Sequence, residues 1–150
     1  MLPKLKVLFL CTGNSCRSQM AEGWARHVAS DRIEPYSAGV EPTRLDPRAV
    51  RVMAESGVEI GEQRSKYLDE LAGVRFDGVV TVCDNARERC PVFPGDARMV
   101  HMSFDDPPRL AADAPTEETA LDHYRRVRDE IRAFVERLGD LLEPQTGGRS

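Results

Sequence analysis

The stretch KVLFLCTGNSCRSQMAEGWA, residues 6–25, decides how the rest of the chain is read. Lys6, Val7, Leu8, Phe9 and Leu10 make a short run of strand-forming residues that Thr12, Gly13 and Asn14 bring to a stop. From residue 17 to about residue 29, Met20, Ala21, Trp24, Ala25 and Val28 recur at helical spacing. Between strand and helix lies the loop Cys11, Thr12, Gly13, Asn14, Ser15, Cys16, Arg17 and Ser18. A loop in that position can turn several backbone N–H groups inward while the helix N-terminus adds positive potential, which cradles a tetrahedral oxyanion. Gly13 and Asn14 are residue types that tolerate the left-handed backbone such a curve needs. Arg17 offers a planar fork for two anion oxygens. Cys11, facing these donors, is expected to be strongly acidified, with Ser18 donating its hydroxyl to the sulfur. An isolated Cys11 would read as a buried strand-end residue, and Arg17 alone as a surface residue. Cysteine, five residues, then arginine and serine at a strand-to-helix turn point instead to a reactive site. The Gly-Lys-Ser/Thr ending of nucleotide triphosphatase loops is absent.

Outward from this unit the pattern repeats. Residues 36–40 form a weaker strand, residues 49–55 a helix stopped by Gly57, and residues 66–71 another stopped by Gly73. Residues 78–83 (GVVTVC) read as a buried strand and residues 98–102 as a short further one. Residues 116–142 are the clearest helix, with Leu121, Tyr124, Val127, Ile131, Phe134, Leu138 and Leu141 along one stripe. The expected fold is α/β: a single three-layer domain, residues 1–143, with a four-stranded parallel sheet flanked by helices, followed by a flexible tail at 144–150. Ligands of such sheets bind beyond the carboxyl ends of the strands. Cys11 and Cys83 each follow an apolar strand, so both are expected on that rim.

With 150 residues, 41% of them hydrophobic and 31% charged, the chain has the apolar material for one packed core, which excludes disorder. Its net charge of −4 gives no basic surplus for nucleic acid, so an anionic substrate must be drawn by local donors. The apolar run from Val7 to Cys11 is too short to span a membrane, and the N-terminus lacks a signal-peptide pattern. A cytoplasmic location is expected, where the four cysteines stay reduced and serve chemistry rather than stapling. For Cys83 and Cys90 the residues alone leave redox chemistry, a buried pair or half of a zinc site open, although C-x4-C and C-x6-C spacings do not match zinc knuckles. Cys16 reads as a small buried loop residue. His27, His101 and His123 stand outside any triad pattern and read as surface or packing residues. FDDPP is a loop-forming stretch in which Asp106, before Pro107, reads from the residues alone as a turn aspartate.

Residues 11–18 resemble the phosphate loop of low-molecular-weight protein tyrosine phosphatases. The longer run CTGNSCRSQMAEGWA (11–25), with SAGVEP (37–42), TVCDNARERCP (81–91) and FDDP (104–107), more closely resembles thioredoxin-coupled arsenate reductases of that fold. The resemblance covers roughly residues 6–138. Gln19 stands where the phosphatases usually have proline, and they lack the cysteine pair. The resemblance implies a three-thiol relay: Cys11 attacks arsenic, Cys83 attacks the Cys11 sulfur as arsenite leaves, and Cys90 carries the disulfide outward for thioredoxin. It makes Asp106 the acid that protonates the departing oxygen, with Asp105 the second candidate. It implies no bound cofactor, thioredoxin as external reductant, and a monomer. The rivals are a phosphatase of phosphotyrosine or small phosphomonoesters, and a non-enzymatic thiol sensor or arsenic-binding protein. Some of these reductases hold potassium at positions matching Asn14, Glu22, Ser37 and an aspartate whose place Lys66 takes here. A fixed ammonium there would replace the cation and pair with Glu22. Finally, the intervening Asp84 to Arg89 look helical, which separates Cys83 and Cys90 by about 10.5 Å of rise.

Overall fold

The computed structural model describes residues 3–84, 88, 90 and 97–142. In chain order its elements are β1 (Leu5–Cys11), α1 (Arg17–Val28), β2 (Ile33–Gly39), α2 (Pro47–Glu55), a 3-10 turn (Leu68–Leu71), β3 (Gly78–Thr81), β4 (Arg98–His101), α3 (Pro107–Ala112) and α4 (Glu117–Leu142). The strands form one parallel sheet in the order β2-β1-β3-β4. Successive strand residues point to opposite faces, yet Val7, Leu8, Phe9 and Leu10 are all fully buried. Both faces of β1 are therefore covered, as expected of a parallel sheet. Pro35 sits on the edge strand β2, where a missing N–H costs no central ladder bond.

The chain passes from β1 to β2 on one side, then returns to place β3 on the other. Strand order thus reverses beside β1, and the loops after β1 and β3 open onto the crevice where ligands of such sheets bind. Cys11 ends β1, and Cys83 lies two residues beyond β3.

Helix α4 packs against α1, α2 and α3. Its buried stripe runs through Leu121, Tyr124, Val127, Ile131, Phe134 and Leu138, as the periodicity predicts, but ends on Leu142 rather than Leu141. A 3.6-residue period carries the stripe one position onward, and Leu142 lies over Gly78, where a Cβ would come 2.9 Å from its Cδ2. Helix α2 starts earlier than expected because Asp46 caps it, accepting a bond from the Arg48 N–H at 2.9 Å, with Pro47 opening the first turn.

Two expectations fail. Residues 66–71 are not a helix. The backbone of Lys66 is committed to its neighbours instead, its carbonyl accepting from Gly39 N–H and its N–H donating to Asn14 Oδ1, so coiling starts at Leu68. In FDDPP, a helix begins where a loop is expected: Asp106 occupies the cap position of α3, and prolines are harmless in a first turn whose N–H groups lack intrahelical partners. Of the expected 84–89 helix, Asp84 and Glu88 are helical, and residues 85–87 and 89 lie outside the described residues, as does the 144–150 tail.

Candidate active site

A cavity of about 190 Å³ opens at the carboxyl end of β1. Loop residues Cys11, Thr12, Gly13, Ser15, Cys16 and Arg17 wall it, and Asp106 and Pro108 close it. Asn14 and Ser18 stand behind the wall. Asn14 carries the loop's curvature, with φ 48°, whereas Gly13 has no positive φ. The small side of Gly13 meets a different need, since a Cβ there would lie 3.2 Å from Thr43 Oγ1.

Asn14 holds this strained position through its polar atoms. Its Nδ2 donates to Ser18 Oγ at 2.9 Å, its Oδ1 accepts from Lys66 N–H at 2.9 Å, and its carbonyl accepts from Gln19 Nε2 at 2.8 Å. Because Asn14 supplies a proton to the Ser18 oxygen, the Ser18 hydroxyl is left to donate to Cys11 Sγ, 2.8 Å away. The expected donor to sulfur is therefore in place. The expected strong acidification is not: burial pushes the Cys11 thiol up, and the Ser18 side-chain and backbone bonds pull it back only in part. Arg17 contributes less than Ser18 to that pull. Its Nη1 is turned to Phe104 O at 2.9 Å and its Nη2 lies 3.6 Å from Asp106 Oδ1. Cys16 is held well up by burial, then by the nearby Asp46 and Cys11 charges, which suits the packing role read from the sequence.

Asp106 and Asp105 separate cleanly. Asp106 borders the cavity beside Arg17, whereas Asp105 pairs with Arg126 at 2.9 Å. Cys83 is buried, its sulfur 3.4 Å from Thr12 Oγ1, so a second thiol does reach the loop. Cys90 is half-buried against the core, and burial pushes its thiol up. All four cysteines are reduced. Among the described residues, no cluster of three or more His, Cys, Asp or Glu could hold a metal.

Behind the loop, Lys66 reaches inward as expected but takes a different partner. Its Nζ donates to Ser37 O at 3.0 Å, while Glu22 is occupied by Arg26 and by the Ser37 hydroxyl. Burial pushes the Lys66 ammonium down, with Glu22 acting in the opposite sense. A potassium ion does not fit these residues: an ammonium already sits on the Ser37 carbonyl, and the carboxylate is engaged elsewhere.

Several supporting residues escape the sequence reading. Gln19 bonds both Asn14 O and Arg64 O, Gln63 donates to Gln19, and Ser65 Oγ donates to Gly13 O at 2.8 Å. A glutamine on an apolar helix face is the one local hint of them. His101 makes polar contacts that the sequence does not signal. It lies between Thr81 and Asp84, whereas His27 does pack, edge-on to Trp24.

Residues 6–146 match the family of low molecular weight phosphotyrosine protein phosphatases. An arsenate reductase of Bacillus licheniformis is 42% identical over 142 residues, covering 95% of this chain and all of that protein. An arsenate reductase of Bacillus subtilis is 46% identical over 125 residues, 83% of this chain and 88% of that one. The solved structure of an arsenate reductase in its phosphate-binding state superposes with a TM-score of 0.73 at 30% identity, over 93% of this chain and 99% of that one.

Proposed function

The chain belongs to the low molecular weight phosphotyrosine protein phosphatase family, and on that footing we propose that this enzyme reduces arsenate to arsenite with thioredoxin as the external dithiol. One observation carries the reading beyond the family's hydrolytic chemistry: a second cysteine, Cys83, stands at the oxyanion loop, 3.4 Å from Thr12. Hydrolysis at Cys11 needs no second thiol, whereas reduction does.

The relay balances. The Cys11 thiolate attacks arsenic, forming an S–As bond as a hydroxyl departs, protonated by Asp106 to water. Arg17 turns its fork from the Phe104 carbonyl toward the anion. Cys83, as thiolate, then attacks Cys11 Sγ. The S–S bond forms, the S–As bond breaks with its electron pair going to arsenic, and arsenite leaves. Cys90 attacks Cys83 Sγ, returning the Cys11 thiolate and leaving a Cys83–Cys90 disulfide for the external dithiol. Thr12, Gly13, Ser15 and Cys16 line the anion's cradle, while Asn14 and Ser18 hold it from behind. The enzyme acts as a cytoplasmic monomer in this reading; among the described residues, no helix is long and apolar enough to cross a membrane.

Arsenate-dependent oxidation of NADPH by the purified chain with thioredoxin and thioredoxin reductase tests it. Turnover is expected, and Cys83→Ser and Cys90→Ser should each abolish it while sparing any hydrolysis of an aryl phosphate at Cys11. Hydrolysis without arsenate turnover in the unmodified chain would instead establish the phosphatase. Stoichiometric arsenic binding without either activity would establish the sensor.

A further inference from the structure

His101, the last residue of β4, spans two points of the neighbouring chain. Its Nδ1 lies 2.7 Å from Thr81 Oγ1 and its Nε2 lies 2.9 Å from Asp84 Oδ1. A carboxylate can only accept, so Nε2 carries the proton, and in the neutral ring Nδ1 accepts from the Thr81 hydroxyl. The series threonine, histidine, aspartate is not a nucleophilic triad. Thr81 is 3% exposed and is absent from the residues walling the cavity.

What the bridge encloses is Cys83. Thr81 ends β3, and Val82 is still held by Leu10 O on one side and Phe104 N–H on the other. Beyond Val82, the Asp84 carboxylate fastens the chain back to the imidazole, so that Cys83 is gripped from both neighbours with its sulfur against Thr12. We propose that His101 is a positioning residue, which ties Asp84 to Thr81 and so holds the Cys83 thiol at the oxyanion loop for its attack on Cys11. The inference rests on the arsenate-reducing reading for its consequence in turnover, but the grip itself can be measured without arsenate. A thiol held against its target reacts through orientation already achieved in the ground state. Released, it samples solvent and loses that advantage.

Two readouts on the reduced protein test this: the rate of iodoacetamide labelling at Cys83, located by peptide mapping, and the single-turnover rate of arsenite release without thioredoxin. Asp84→Ala and His101→Ala should each speed labelling of Cys83 about tenfold and slow arsenite release about tenfold, with KM for arsenate within about twofold. Asp84→Asn, which keeps an acceptor, should restore both. Asp84 is well exposed, so Asp84→Ala decides the matter if His101→Ala also exposes the buried Cys16 and thereby reveals general unfolding. Unchanged Cys83 labelling in Asp84→Ala would overturn the grip whatever arsenate does. Faster labelling with unchanged arsenite release would overturn its positioning role. Faster labelling in a chain whose unmodified form releases no arsenite would leave the grip standing and bring down the arsenate reading instead.

Discussion

Cys11 is a thiol pulled two ways. Burial disfavours its ionised form, and the Ser18 hydroxyl, oriented by Asn14, favours it. Ser18→Ala should therefore move the midpoint of Cys11 alkylation against pH upward by about one unit, since a hydrogen bond to a charged group contributes about 1.5 kcal/mol or more. At a fixed pH near neutrality the labelling slows accordingly. An unmoved midpoint would mean that Ser18 does not stabilise the sulfur charge. Cys11→Ser should leave no detectable turnover of arsenate or aryl phosphate, and residual activity of either kind would dismiss the shared nucleophile. Lys66 gives a test of a different kind. With its ammonium already on the Ser37 carbonyl, activity in potassium should match that in sodium at equal ionic strength. A specific potassium activation would contradict that placement. These residues were unequally legible. Cys11, Arg17 and Ser18 follow from their spacing in one loop, because a single local turn brings them together. Gln63, Ser65 and Lys66 reach the loop from about fifty positions away, and His101 meets Thr81 and Asp84 across strands. No periodicity encodes such contacts.

At the level of elements, α2 and α4 are tied by one carboxylate. Glu55 accepts from Arg125 Nε and Nη2 at 2.9 and 2.8 Å and from Arg128 Nη1 at 3.1 Å. The Arg125 bonds, above all, hold its carboxyl down to about 2. A depressed folded value means that the stabilisation is complete above the ordinary carboxylate value and fades as pH falls toward about 2. Solvent screens this partly exposed pair, leaving a contribution on the order of 1 kcal/mol. Glu55→Gln should lower Tm by about 3 °C at pH 7 and by progressively less below pH 4; an equal deficit at both would refute the linkage. The segment between Cys83 and Cys90 makes a sharper prediction. A helix across it separates the two Cα atoms by about 10.5 Å, whereas a disulfide needs them within roughly 7 Å. Oxidation should therefore unwind it, and amide exchange at residues 84–89 should accelerate in the Cys83–Cys90 oxidised form. Unchanged protection would mean that no helix has to open. The strands and the long helix were legible because burial imposes their period. The α3 helix and the non-helical start at Lys66 were not, since α3 opens on prolines that local pattern reads as a loop, and the Lys66 N–H bonds Asn14 Oδ1, a partner only the fold supplies.

The whole molecule places two thiols on one rim because a parallel sheet reverses its order beside β1. That much could be read from strand, loop and helix alternating along the chain, and the acidic net charge already required the anion's attraction to be local. Which aspartate closes the cavity was legible only through the resemblance, because by local pattern Asp106 and Asp105 differ only in the partners the fold gives them. The central claim is an order of oxidation: the disulfide passes outward from Cys11–Cys83 to Cys83–Cys90 while the electrons pass inward to arsenic. Mapping the thiols after one turnover tests it most directly, with reduced protein mixed with arsenate in the absence of thioredoxin, then alkylated and digested. The account predicts one arsenite per chain with a Cys83–Cys90 disulfide, and in Cys90→Ser a trapped Cys11–Cys83 disulfide instead. Arsenite released with a disulfide that includes Cys16, or with Cys83 still alkylated as a thiol, would contradict it.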